Sequence, residues 1–219
     1  MTWLYLVAAT ALCLSPLASA LPPAADLVPL INTLVEQTNV PNLVSGVILY
    51  TRLYDTVTEV VVFTLASIGV RFLFAGETAK PSVRALADAP SVVLCQLGGT
   101  IAALIGVELA LRGHLSPGGG FAAGVAGGTA IGLALISGSA ELSDRLYRRY
   151  RADLWEKGAV IAFVLLAALT LGGLPPPPGE FGSLAGGSWI PLLNVLVAIK
   201  VTLGSWAMVQ LFVRHRGLL

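Results

Sequence analysis

The stretch RGHLSPGGGFAAG, residues 112–124, parts two strongly apolar runs with a histidine, a proline and three consecutive glycines. It does not read as a nucleotide-binding loop. No Lys-Ser or Lys-Thr follows, so the P-loop pattern fails, and Ala123 stands where the third glycine of G-x-G-x-x-G belongs. Its meaning has to come from what surrounds it.

The chain has 219 residues, 56% of them hydrophobic and 11% charged, with 24 glycines and 13 prolines. Soluble domains carry about a quarter charged residues, so this composition points to an integral membrane protein and away from a soluble enzyme. A net charge of +1 gives no argument for nucleic acid. The two cysteines, Cys13 and Cys95, lie in separate apolar runs, where thiols behave as small hydrophobes. They form neither a disulfide framework nor a metal-ligand spacing, and they cannot hold an iron–sulfur cluster. No cofactor and no enzymatic activity are expected.

A helix that crosses a bilayer needs about 20 mostly apolar residues. Six stretches fit: 3–20, 55–75, 91–112, 119–138, 157–173 and 189–213. The first, LYLVAATALCL followed by SPLASA, also resembles a secretory signal. Only Met-Thr-Trp precedes it, without positive charge, so a retained helix is expected. VSGVILYTRLY, 44–54, is too short to span and is expected along the surface or partway in. Arg145, Arg148, Arg149, Arg151, Lys80, Arg84, Arg214 and Arg216 all fall on one side, which predicts an N-in, C-in all-α protein. The segment 139–156 alternates charged and aromatic residues and predicts an interfacial helix whose arginines face anionic headgroups.

RGHLSPGGGFAAG therefore becomes an outer hairpin between the third and fourth spans. Pro117 ends helical structure and the glycines permit dihedrals that other residues avoid. Gly120, Gly124, Gly128 and Gly132 recur every four residues, which predicts a smooth helix-packing stripe. His114 would sit at the outer mouth, either in headgroups or relaying protons.

Ionisable residues within spans cost about 2.5–3.5 kcal/mol each on insertion scales and raise a functional hypothesis by default. Glu59, Glu108 and Lys200 are such residues. Each has a bland reading too. Glu108 and Arg112 lie four apart on one face and can simply pair, and Asp55 can cap the helix that holds Glu59. Lys200, near the midplane, needs a carboxylate partner or a wet cavity. Carboxylate–amine sets across a bundle are how proton relays are built.

These residues also bear a family resemblance. RGHLSPGGGFAAG resembles the RGHxxPGGGFxGG signature of the B subunit of Mrp-type (Mnh-type) multisubunit sodium/proton antiporters and of the related module in membrane-bound hydrogenases. Arg112, Gly113, His114, Pro117, Gly118, Gly119, Gly120, Phe121 and Gly124 occupy matching positions, and residues 90–213 look like that subunit throughout. PNLVSGVILYTRLYDTVTEVVVFTLASIGV, 41–70, is similar to a segment that occurs at the C-terminal end of the antiporter A subunit and as the small E subunit of the hydrogenase module. Asp55, Thr56 and Glu59 match there, while Thr58 stands where that family has glycine. The resemblance implies a two-helix module at 1–76, a cytoplasmic linker at 77–90, a four-helix module at 91–213 and a tail at 214–219. It further implies a multi-pass subunit of the cell inner (plasma) membrane, surrounded by lipid and packed against larger complex-I-like subunits. Sodium and protons would be the transported ions, with Asp55, Glu59, Glu108, His114 and Lys200 along their path. The alternative is a non-conducting assembly subunit of a complex-I-like redox complex, in which the same charges are static pairs.

Overall fold

The computed structural model describes residue 10 and residues 27–78 and 85–216. The expected first span and the linker residues Lys80 and Arg84 lie outside the described residues. The chain divides into two compact units, Met1–Thr33 and Leu34–Leu219, and the membrane helices described here all belong to the second. No strand occurs among the described residues.

Helix α1 runs Leu27–Thr38 and α2 Leu43–Gly46, the latter continuing as a π-turn over Val47–Thr51. Five long helices follow in antiparallel succession, with one short helix among them: α3 (Leu53–Leu73), α4 (Ala89–Arg112), α5 (Gly120–Ala134), α6 (Ala140–Arg149), α7 (Ala152–Leu171) and α8 (Ile190–Arg216). The five long ones, with α5 extended through its π-turn to Gly138, are apolar and long enough to cross a bilayer. All five expected spans within the described residues are therefore present.

Two segments add detail that matters. Segment 44–54, expected along the surface or partway in, has one exposed side, with Val44, Ile48 and Tyr54, and one buried side. Ser45, Gly46, Leu49 and Leu53 are buried, and the Thr56 hydroxyl donates to the Ile48 carbonyl at 3.0 Å, fastening the π-turn to α3. The interfacial helix is also shorter than 139–156. It ends at Arg149, Arg151 takes a left-handed conformation (φ 49°), and α7 begins at Ala152. Glu156 thereby moves from an expected surface helix into a membrane span.

Helix α8 is the hub, packed by α3, α4, α5 and α7. Lipid tails are as apolar as leucine, so close packing rather than burial from water holds such a bundle together. The glycines show how. A Cβ at Gly120 would lie 2.5 Å from the Asn194 carbonyl oxygen, and one at Gly128 2.7 Å from Ser205 Cβ. At Gly124 a Cβ would overlap Val201, and at Gly127 it would come 2.5 Å from Thr202 Oγ1. Gly132 departs from the expected stripe, since a Cβ there would meet nothing within 4 Å. Each four-residue step overshoots a turn by about 40°, so three steps rotate Gly132 about 120° away from Gly120. Gly127, one residue off the stripe, fills the seam instead. On its other side α5 receives α4 at Gly99 and Gly106, where a Cβ would come within 3.3 Å and 3.1 Å of α5 carbonyls.

Candidate functional site

The hairpin joins α4 to α5. Leu115 and Ser116 fold back onto the Arg112 carbonyl, after which Gly118 and Gly119 take φ of 149° and 108°, a region that L side chains avoid. Asn42 holds the turn from outside. Its amide Nδ2 donates to the carbonyls of Gly113 and Ser116, both at 2.8 Å, and the Ser45 hydroxyl donates to Gly113 at 2.5 Å. Asn194 of α8 accepts the Gly120 N–H at 3.0 Å. Two asparagines from distant parts of the chain thus fix the same turn.

His114 is not at an open mouth. It is fully buried, its Nε2 3.2 Å from the Ser183 carbonyl of the loop between α7 and α8, and its Nδ1 has no partner among the described residues. Burial pushes its pKa below the ordinary histidine value, with the Ser183 carbonyl opposing. Beside the turn lies a cleft of about 330 Å³ bounded by Ser45, Thr56, Glu59, Gly119 and Asn194. The buried Asn194 Nδ2 is unpartnered among the described residues.

One turn further along α3, Phe63 shares a groove with Glu59. Its ring centroid lies 5.3 Å from Lys200 Nζ, a cation–π distance. Lys200 is 1% exposed and donates to Glu156 Oε1 at 2.5 Å. The other carboxylate oxygen, Oε2, accepts from Arg71 Nη2 at 3.2 Å. One buried carboxylate therefore serves two cations from two other helices. Gly204 makes the space, because a Cβ there would lie 2.7 Å from the Phe63 ring and 3.3 Å from Lys200 Nζ.

Arg71 leads onward, donating to the Tyr147 hydroxyl at 3.4 Å. Beyond it, at the end of the bundle opposite the hairpin, a second cleft of about 470 Å³ opens between α3, α6 and α8. Ser143 accepts from Trp206 Nε1 at 2.8 Å and Tyr147 packs edge-on against that indole, so α6 is anchored on α8. Burial raises the Tyr147 phenol above its usual value, against the lowering influence of the Arg71 charge.

Of the residues expected along a path, Lys200 is in this buried cluster, while Glu59 is exposed and borders the two clefts beside it. Glu108 pairs with Arg112 at 2.9 Å, and both side chains are more than half exposed. Asp55 accepts from Arg52 Nε at 2.6 Å at the start of α3, and His114 stands under the far loop. Sequence reasoning missed Glu156, Arg71 and Asn42. Glu156 was hidden because 139–156 read as one interfacial segment; a left-handed Arg151 inside it has no sequence signature.

An all-helical multi-pass membrane protein with a buried ion cluster is the class these features define. Residues 90–207 match the family model of a domain related to the MnhB subunit of Na+/H+ antiporter, and the chain belongs to that family. No curated protein matches it. Among solved structures it is similar to a chain of the membrane-bound sulfane sulfur reductase, an archaeal respiratory membrane complex, with 23% identity and a TM-score of 0.71 over 97% of this chain and 96% of that one. It is also similar to a chain of the Mrp complex from Dietzia sp. DQ12-45-1b, with 20% identity and a TM-score of 0.68 over 96% of this chain and 26% of that one.

Proposed function

We propose that the chain is a membrane subunit of a multisubunit sodium/proton antiporter, not an enzyme, and that it helps complete the proton path. Its surroundings would be the cell (plasma) membrane and larger complex-I-like subunits, with the arginine-rich end inside. The observation behind this reading is the buried Lys200–Glu156 pair with its half-buried partner Arg71, between the Glu59 cleft and the cleft at the arginine-rich end. Charges of this cost in a membrane span are retained where ions or protons pass. A lysine and a carboxylate in hydrogen-bond contact can exchange a proton with little rearrangement. Glu59, one turn from Phe63, supplies the outer carboxylate of the route. Asp55, Glu108 and His114 flank it: the first two are held in exposed pairs at the hairpin end, and His114 abuts the loop that closes that end.

The MnhB-related family model supports the antiporter reading, and the resemblance of 41–70 to the A-subunit segment is compatible with it. A second reading has its own support. The respiratory complex chain is matched along nearly its whole length, as expected of a non-conducting assembly subunit in a redox complex. Two substitutions separate the readings, Lys200→Gln and Glu59→Gln, assayed for ion exchange in membrane vesicles and for assembly on native gels. Lys200→Gln leaves Glu156 paired with Arg71, so assembly is expected to survive. Under the transport reading exchange falls about tenfold or more with assembly intact. Unchanged exchange in fully assembled variants would favour static pairs.

A further inference from the structure

We infer that the inner cleft, at the corner between α6 and α7, is a binding site for a phosphate group, supplied by an anionic phospholipid or by free phosphate. Arginines reach it from three directions: Arg71 from α3, Arg148 and Arg151 from the α6–α7 corner, and Arg214 from α8. Such a set, gathered at one end of a membrane bundle, needs a counter-anion. The two aspartates in the wall offset only part of the charge of the four arginines. Asp153 lies 3.8 Å from Lys157, and Asp144 is spent as a clamp. Asp144 accepts from Gln210 Nε2 at 2.7 Å and from Arg148 Nε at 3.2 Å, and it also pairs with Arg214.

That clamp is what makes the cleft a site rather than a loose basic patch. A guanidinium presents several N–H donors in a rigid fork. Asp144 fixes two forks by one edge, while Glu156 and Tyr147 fix the third. All three guanidiniums line one cleft and keep donors beyond those pairs. Arg151, whose left-handed backbone turns the corner, makes no ion pair among the described residues. Converging forks of this kind match the oxygens of a phosphate better than a single carboxylate, because each fork can take two oxygens. The volume of about 470 Å³ leaves room beyond the phosphate, and Ala207 and Leu211 of α8 give that remainder an apolar wall suited to a glycerol backbone.

The test uses the full chain purified in detergent, with dioleoyl phosphatidylglycerol and sodium phosphate as separate probes, bound fractions being read by native mass spectrometry. Arg151→Gln removes a fork without breaking an ion pair, so its melting temperature without probe should equal that of the unsubstituted chain. Binding of phosphatidylglycerol is expected to weaken about tenfold in Arg151→Gln, the loss of a charge-assisted hydrogen bond. It should be unchanged in Arg52→Gln, at the opposite end of the bundle. Should the tenfold loss appear with sodium phosphate and not with the lipid, the phosphate site stands and its source is the free anion. Equal binding of both probes by the unsubstituted chain and Arg151→Gln would overturn the inference. So would an equal loss in Arg52→Gln.

Discussion

His114 turns a tight corner with its ring out of water, and that placement has a direct pH consequence. Burial holds its pKa below the ordinary value of 6.5 in the fold. The unfolded chain therefore takes up the proton first. Stability from this residue is fully present above about pH 6.5 and declines as pH falls from there toward the lowered folded value. Thermal unfolding in detergent between pH 8 and pH 5 should show that decline, and His114→Gln should flatten it. The hairpin was largely legible at this scale, since Pro117 and the glycines announce a turn. The burial of His114 was not, because what covers it is a loop some seventy residues later, around Ser183 and Gly187.

At the scale of the element, α5 is defined by what it lacks. Its glycines admit α8 on one side, and glycines of α4 admit it on the other. A Cβ at Gly124 would overlap Val201, whereas Gly132 faces open space. Gly124→Val is expected to destabilise the bundle by about 1–3 kcal/mol through overpacking, and Gly132→Val to stay within about 0.5 kcal/mol. Denaturant titration in mixed micelles checks both. The spacing of four was visible in the sequence, but the helical drift that removes Gly132 and recruits Gly127 depends on how α5 crosses α8. Helix α6 repeats the lesson. Its amphipathic character was plain, while its end at Arg149 rests on one left-handed residue that any polar side chain could have been.

Across the whole molecule, the ion cluster ties three helices with one carboxylate. Glu156 neutralises Lys200 and Arg71 together, so the two partners are not equivalent. Glu156→Gln leaves a buried lysine uncompensated and is expected to cost about 3–5 kcal/mol. Lys200→Met leaves Glu156 and Arg71 paired and should cost clearly less, a difference readable in the same micelle titration. From the sequence, Lys200 could be seen to need a partner. The identity of that partner could not be read, since 44 residues separate Lys200 from Glu156 and 129 separate it from Arg71. The order of those positions also bears on how the protein is made. Chains enter the membrane from the N-terminus, so Arg71 arrives before Glu156 and both arrive before Lys200. Lys200 comes last, on the helix that α5 has left its glycine seam open to receive. The buried lysine is thus made only after the carboxylate that it pairs with in the fold. A nascent chain stalled before α8 would show its quality-control machinery a bare glycine groove rather than a stranded lysine.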